Sequence, residues 1–357
     1  MKLALLTEIP APYRIPLFNA LAERVALRVL FLAERDPRRA FYELHRDEWR
    51  FDQRVLGGPQ LRRGGRWIVL SRSVLRELRR FRPDAVAVGG WNQPAFWLAL
   101  AYCRARRVPL LVWIESTKRD SRSESRVLAL ARDAMVRGAA GAYVPGTASA
   151  EYARSLGVQH VETAPNAIDA EIFERAAVDR SGRDGCTFLY AGRLDLEKGL
   201  DTLLEAFRDV PGELVLVGQG ADEERLRALA GERVRFEGPK DRDDLVAYYR
   251  DADVFVLPSR SEPWGMVLNE AAAAGLPLVA TEESGAAHDL IDDNGFRVSA
   301  GDVRALREAL DRLARDASLR ERMGARSREL ARHFTPQAWA DGVASAVDRA
   351  RRRTGRR

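Results

Sequence analysis

The run Ser261-Glu262-Pro263-Trp264-Gly265-Met266-Val267-Leu268-Asn269-Glu270 places a loop glycine between two carboxylates at the start of a helical pattern. A ligand can approach the backbone at Gly265, and the amides of Gly265, Met266 and Val267 open a helix whose dipole favours an anion. Glu270 falls one turn beyond Met266, so its carboxylate is expected on the side that borders the loop, able to accept two vicinal hydroxyls. Glu262 would face whatever group is attached beyond the phosphates. The plain alternative is two surface carboxylates on a capped helix. A second run, Tyr190-Ala191-Gly192-Arg193-Leu194-Asp195-Leu196-Glu197-Lys198-Gly199, sets Arg193 and Lys198 beside Gly192, two cations suited to neutralising a diphosphate. Only four of the 58 basic residues are lysine, which singles out Lys198. An Arg-Asp and Glu-Lys surface turn is the alternative there. Val217-Gly218-Gln219-Gly220 is a weaker phosphate-loop signal that tight-turn packing explains equally well.

Each of these runs follows a short apolar stretch and precedes an amphipathic one, the pattern of βαβ units in a parallel sheet. In the front half the spacing predicts strands over 2–7, 27–32, 85–88, 110–114 and 142–144, with helices such as 71–81 and 123–137. The second half predicts strands over 186–191, 213–217, 234–236, 254–257 and 278–280. Helices are expected over 200–208, 221–230, 243–250 and 266–274, then 303–314 and 319–333. Thr335-Pro336 opens a last helix, with Thr335 as N-cap. The polar stretch 175–184 is the expected linker. The chain therefore divides into 1–170, 171–334 and a final helix with a basic tail, 335–357. Two separately wound sheets imply a cleft between their carboxyl edges, where open α/β sheets bind ligands.

At 357 residues, 46% hydrophobic and 31% charged, the chain can bury two cores, which excludes disordered and fibrous classes. The uncharged stretch 85–103 is broken by Gly89, Gly90, Asn92, Gln93 and Pro94, so it reads as strand, loop and helix instead of a membrane span. No signal peptide is recognised, and Cys103 and Cys186 stand alone, so a reducing cytoplasm and no metal site are expected. The net charge of +6 hides an asymmetry: residues 1–170 carry +11, residues 171–348 carry −11, and residues 349–357 add six arginines. A solvated Arg-rich face accounts for this. So does docking of the front half on an anionic membrane surface, from the inner, cytoplasmic side. No nucleic-acid-binding signature is present.

Gly192-Arg193, Glu197-Lys198-Gly199, Val217-Gly218-Gln219-Gly220 and the Glu262-x7-Glu270 pair, in this order and spacing, resemble the retaining nucleotide-sugar-dependent glycosyltransferases of family 4, glycosyl transferases group 1. Pro165-Asn166-Ala167-Ile168-Asp169 is similar to that family's Pro-Asn-Gly-Val-Asp turn, with Ala167 at the usual glycine. The resemblance implies a GT-B fold, two Rossmann-like doubly wound domains facing a central cleft. It implies a nucleotide-sugar donor on the second domain, a hydroxyl acceptor on the first, no metal and no cofactor, and a final helix crossing back to the first domain. Carried over by residue, Arg193 and Lys198 hold the diphosphate, Glu270 the ribose and Glu262 the transferred sugar, with Gly192, Gly218, Gly220 and the amides of Gly265 to Val267 completing the donor site.

The front half departs from that family. Where a Gly-rich loop often follows the first strand, Pro10 and Pro12 make a stiff turn, and Tyr13 and Arg14 are expected to face the acceptor. Where many members place a histidine, Glu115-Ser116-Thr117-Lys118 follows the strand, and Glu115 or Lys118 is expected to substitute. Trp91, at a strand end beside Gly89 and Gly90, is a further acceptor candidate, with core packing as its alternative. A sugar-nucleotide epimerase and a non-catalytic sugar-nucleotide-binding protein are the competing readings.

Overall fold

The computed structural model describes residues 1–36, 44–63, 66–119, 126–178 and 185–355. Its central strands are apolar runs of four to six residues, too short for stable helices and covered on both faces. In chain order the first half forms β1 (Lys2–Thr7), α1 (Ile15–Ala22), β2 (Ala26–Phe31), β3 (Asp52–Val55), the hairpin β4 (Gln60–Arg63) and β5 (Arg66–Val69), α2 (Val74–Phe81), β6 (Ala85–Val88), α3 (Pro94–Arg106), β7 (Leu110–Trp113), α4 (Arg126–Gly138), β8 (Gly141–Val144), α5 (Thr147–Ser155) and β9 (Val161–Thr163). The second half continues with α6 (Ala170–Glu174), β10 (Thr187–Ala191), α7 (Leu200–Phe207), β11 (Glu213–Val217), α8 (Glu223–Leu229), β12 (Val234–Gly238), α9 (Arg242–Asp251), β13 (Val254–Leu257), α10 (Met266–Ala273), β14 (Leu278–Thr281), α11 (Ala287–Leu290), β15 (Gly295–Val298), α12 (Val303–Arg315), α13 (Ala317–Ala331) and α14 (Pro336–Arg353).

The first sheet has the order β3-β2-β1-β6-β7-β8-β9 and the second β12-β11-β10-β13-β14-β15, each parallel throughout. In both, the winding reverses beside the first strand, between β1 and β6 and between β10 and β13. The carboxyl ends of those four strands are therefore where each sheet presents its loops to a ligand. This is the two-domain GT-B arrangement. Among the described residues no helix is long and apolar enough to cross a membrane.

Three expectations are corrected, and a fourth falls partly outside the described residues. The turn at Pro10 and Pro12 continues into helix: Pro12–Arg14 is one 3-10 turn and α1 follows, with Pro12 and Pro16 in first-turn positions, where a missing amide costs nothing. The edge strands β3, β9 and β15, the hairpin β4–β5 and the helix α5 add to the predicted set. The basic tail is largely helix: α14 runs to Arg353, Ala350 is buried in the core, and Arg349 pairs with Glu162 at 2.8 Å. The helix expected over 123–137 begins at Arg126 in the described residues; residues 123–125, and 179–184 of the expected linker, lie outside them.

Candidate active site

The residues at the switch points of the two sheets line one cleft of about 950 Å³. From the first half come Thr7, Glu8, Tyr13, Arg14, Trp91 and Glu115; from the second, Arg193, Glu197, Lys198, Glu262, Gly265 and Met266. Of the predicted site residues, Gly192, Gly218, Gly220, Val267, Glu270 and Lys118 are not among those lining it. For Gly218 and Gly220 the reason is loop packing: a Cβ on Gly218 would stand 1.8 Å from the Gly192 carbonyl oxygen, and one on Gly220 2.3 Å from that of Leu194. These glycines press the loop after β11 onto the loop after β10, which is how Arg193 is held at the cleft. Lys118 is exposed and is not among the residues lining the cleft, whereas Glu115 lines the wall.

Lys198 closes the 3-10 turn Leu196–Lys198, and Gly199 beyond it, at φ +66°, passes so close to the Pro258 carbonyl that a Cβ there would stand 2.2 Å away. That contact lays the loop after β10 against the loop after β13. Lys198 Nζ consequently donates to Glu262 Oε2 at 2.5 Å, both side chains being largely buried. Arg193 is exposed and forks onto Asp195 and Glu197. Its carbonyl accepts from the Tyr190 hydroxyl at 2.6 Å. Arg260 ties the loops together, donating to the Leu196 carbonyl at 2.8 Å and to Asp201 at 2.7 Å. Arg260, which adjoins the Ser261 motif, escaped the sequence reading, and Tyr190 was quoted at the head of its motif without a role. Both cations thus stand ready at the sheet's carboxyl edge, already partnered by carboxylates that an incoming anion would replace.

Helix α10 starts at Met266 with Gly265 at φ +95° as N-cap, and no side chain caps it. Glu270 is turned differently from the expectation. Its Oε2 accepts from the Tyr249 hydroxyl of α9 at 2.7 Å, so part of the carboxylate's accepting capacity is already in use. Burial raises its pKa above the usual value, while the Tyr249 hydrogen bond and Arg242 act the other way. A carboxyl that holds its proton more tightly when folded contributes stability that is complete below its unfolded pKa and is lost as pH rises through the folded one. Glu270→Gln, which can still accept from Tyr249, is therefore expected to raise the thermal midpoint at neutral pH, an advantage over the parent that disappears near pH ~4. Melting curves of the two proteins across pH check this.

A hydrogen-bonded line crosses between the halves. Trp264 Nε1 donates to Asn269 Oδ1 at 2.8 Å, and Asn269 Nδ2 to the Asn166 carbonyl at 3.0 Å. Asn166 Nδ2 donates to Glu115 Oε1 at 3.2 Å, and Arg14 Nη2 to Glu115 Oε2 at 2.6 Å. The Arg14 guanidinium lies 4.2 Å from the centre of the Trp113 ring; burial is the largest single influence and works against its charge, but Glu115, Tyr13, Tyr143 and Glu8 together outweigh it and its pKa is raised. Arg14 and Glu115, read separately as acceptor contacts, are thus partners of one another. Asn166 and Asn269 were quoted within motifs, but nothing local marks them as a joint between two domains. Nearby, Asp289 accepts from the Thr147 amide at 3.0 Å and hydroxyl at 2.6 Å, fastening α5 of the first half to α11 of the second.

Among the described residues there is no group of three or more His, Cys, Asp and Glu that could hold a metal ion. Two Asp-x-Asp runs, 241–243 and 251–253, are in structural use: Asp241 caps α9 and Asp253 accepts from the Thr187 amide at 2.8 Å.

Residues 175–330 match the family model of glycosyl transferases group 1, and residues 17–172 that of Glycosyltransferase Family 4. The glycogen synthase of Mycobacterium tuberculosis (strain H37Rv) is 30% identical over 298 residues, 77% of this chain and 70% of its own length. The phosphatidyl-myo-inositol mannosyltransferase of Mycobacterium leprae is 40% identical over 195 residues, 50% of this chain and 51% of its own. For the D-inositol 3-phosphate glycosyltransferase of Xylanimonas cellulosilytica the figures are 36% over 177 residues, 46% and 42%. The chain spans about half the length of these last two relatives. Among solved structures, sucrose-phosphate synthase from Thermosynechococcus elongatus superposes with a TM-score of 0.74 at 22% identity, covering 97% of this chain and 98% of that one. Anabaena Alr3699/HepE in complex with UDP gives 0.77 at 17% identity, covering 98% and 100%. Both share the fold.

Proposed function

The chain belongs to the glycosyl transferases group 1, glycosyltransferases of the GT-B fold, and from that membership we propose that it moves a sugar from a nucleoside diphosphate to a hydroxyl acceptor with retention at the anomeric carbon and without a metal. The observation that carries this is the Lys198–Glu262 pair, held where the carboxyl edges of the two sheets meet. A diphosphate in the cleft takes Lys198 and Arg193 from their carboxylates, and Glu262, released, accepts hydroxyls of the transferred sugar. The bond from the acceptor oxygen to the anomeric carbon forms as the bond from that carbon to the diphosphate oxygen breaks. The acceptor proton passes to the departing phosphate oxygen on the same face, so no side-chain base is needed. Most of the barrier lowering comes from stabilising the charge that grows on the leaving diphosphate, and this falls to Arg193, Lys198 and the start of α10. That Anabaena Alr3699/HepE, which shares the fold, forms a complex with UDP makes a uridine donor the first to try.

The test is a thermal-shift series with UDP-, GDP- and ADP-sugars in EDTA, followed by an assay for released nucleoside diphosphate. One series is expected to raise the midpoint, because a ligand bound only by the folded state stabilises it. Release is expected to persist in EDTA; its loss on chelation and return with Mg²⁺ would put a metal in place of the two cations. A binding protein would show the shift without release, and an epimerase would convert the sugar without release.

We assign the basic surplus of the front half to an anionic lipid surface met from the cytoplasmic side. Arg72, Arg76, Arg79 and Arg80 are exposed on and just before α2, which buries Val74 and Leu78 on its other side. Sedimentation with anionic vesicles at low salt, lost in the fourfold Arg→Glu variant, is the expected result.

A further inference from the structure

The wall of the cleft built by the first sheet contains a carboxylate that the glycosyl-transfer reading leaves unused. Glu8 follows β1 directly, and Gly89–Asn92 follows β6, the two strand ends being tied by the Gly89 amide donating to the Leu6 carbonyl at 2.9 Å. Glu8 Oε1 accepts from Asn92 Nδ2 and from Gln93 Nε2, each at 2.8 Å. Gln93 cannot follow a moving carboxylate: it is fully buried, its Oε1 takes the Val69 amide at 3.0 Å, and its Nε2 also donates to the Trp67 carbonyl at 3.0 Å. One oxygen of Glu8 is therefore fixed, and the half-buried carboxylate stands in the cleft in a set orientation. Among the described residues no lysine or arginine forms an ion pair with it. Beside it is Trp91, half-buried, lining the same cleft, its backbone carbonyl held by Trp97 Nε1 at 2.9 Å.

The charge of the cleft is opposite to that of the half-chain around it. Its lining holds Arg14, Arg193 and Lys198 against Glu8, Glu115, Glu197 and Glu262, one negative charge in excess, whereas residues 1–170 carry +11. On the first-sheet wall the one cation among the described residues, Arg14, is engaged by Glu115 and stacked on Trp113. A phosphate brought to this wall meets the negative charge of Glu8, which Arg14 offsets only from beyond ion-pair distance. A neutral polyol brings O–H donors to the carboxylate and an apolar ring face to the indole.

We propose that Glu8, Asn92 and Trp91 form the subsite for the reacting end of the acceptor, and that this end is a neutral sugar, its hydroxyls donating to Glu8 and its ring lying against Trp91. The inference rests on the transferase reading, and its test separates the two. With a saturating nucleoside diphosphate present (UDP, GDP or ADP, whichever raises the midpoint), calorimetric titration uses methyl α-glucoside, α-galactoside and α-mannoside against glucose 6-phosphate, galactose 6-phosphate and mannose 6-phosphate. At least one neutral glycoside is expected to bind, about tenfold or more tighter than its phosphorylated counterpart. Glu8→Gln and Trp91→Leu are each expected to weaken it by about tenfold, and Glu8→Gln to narrow the gap to the phosphate, while the midpoint shift given by the nucleotide stays as in the parent. That unchanged shift also shows that a variant is folded. Phosphates binding as well as the neutral sugars, or no glycoside binding beside a normal nucleotide shift, or both variants binding like the parent, overturns the proposal. Absence of any nucleotide shift in the parent tells against the transferase reading instead.

Discussion

Lys198→Ala is expected to lower turnover by about two orders of magnitude or more, the scale for losing one preorganised electrostatic donor to a charge that develops in the transition state. The effect belongs in kcat as well as kcat/KM, because the diphosphate carries more charge on its bridging oxygen as the bond to the sugar breaks than in the bound donor. The same truncation leaves Glu262 largely buried and without its 2.5 Å partner, so a disturbed loop would add to the loss. Two further variants separate the causes. Lys198→Ala combined with Glu262→Ala removes the stranded carboxylate, and it is expected to recover thermal stability without recovering turnover. Arg193→Ala touches an exposed side chain whose partners Asp195 and Glu197 also face water, so turnover should fall with the melting midpoint unchanged. Steady-state kinetics beside melting curves decides it; near-normal turnover in Lys198→Ala removes that residue from the clamp.

The largest expected effect on stability lies far along the chain from the first sheet it acts on. Trp339 on α14 is fully buried, with ring centres of Trp113, Phe18 and Tyr143 at 5.5, 6.0 and 6.2 Å. Trp339→Ala opens a cavity among rigid rings that cannot collapse into it, a class of change that costs about 3–5 kcal/mol. Because Trp113 also carries the Arg14 guanidinium, the loss is expected to reach the first-sheet wall of the cleft as well. Urea unfolding followed by circular dichroism should show the first domain melting earlier. The midpoint shift given by a nucleoside diphosphate, which the proposed donor site assigns to the second domain, should persist. Coincident loss of both would mean that the two domains unfold as one unit.

The central strands were legible because a parallel strand covered on both faces is a continuous apolar run, as in 85–88, 254–257 and 278–280. The edge strands were not: β3 reads Asp-Gln-Arg-Val and β9 spans three residues, neither with an apolar signature. Helix α1 was hidden by Pro12 and Pro16, residues that break a helix interior but suit its first turn. Motif positions placed Arg193, Lys198, Glu262, Gly265 and Met266 at the cleft. What the motifs could not supply was the partner of each: Lys198 reaches Glu262 only because Gly199 packs on Pro258, and Glu270 meets Tyr249 from a different helix. Those contacts join positions 21 to 64 residues apart, beyond the reach of local spacing.

Because α14 packs on α1 and on β7, β8 and β9, the first domain holds a piece of core translated only after the whole of the second. At ribosomal rates of about 5–20 residues per second, the roughly 160 residues between 178 and 339 take on the order of 10–30 s to emerge. During that interval Trp113 and Tyr143 have no indole to pack against, and an apolar face of the nascent first sheet stands open to water or to a chaperone. The second domain, whose core draws on α6 and on residues up to 334, has no such dependence and can complete itself first. Order of synthesis and order of folding thus run in opposite directions, and the second half can be native while the first half still awaits its last helix.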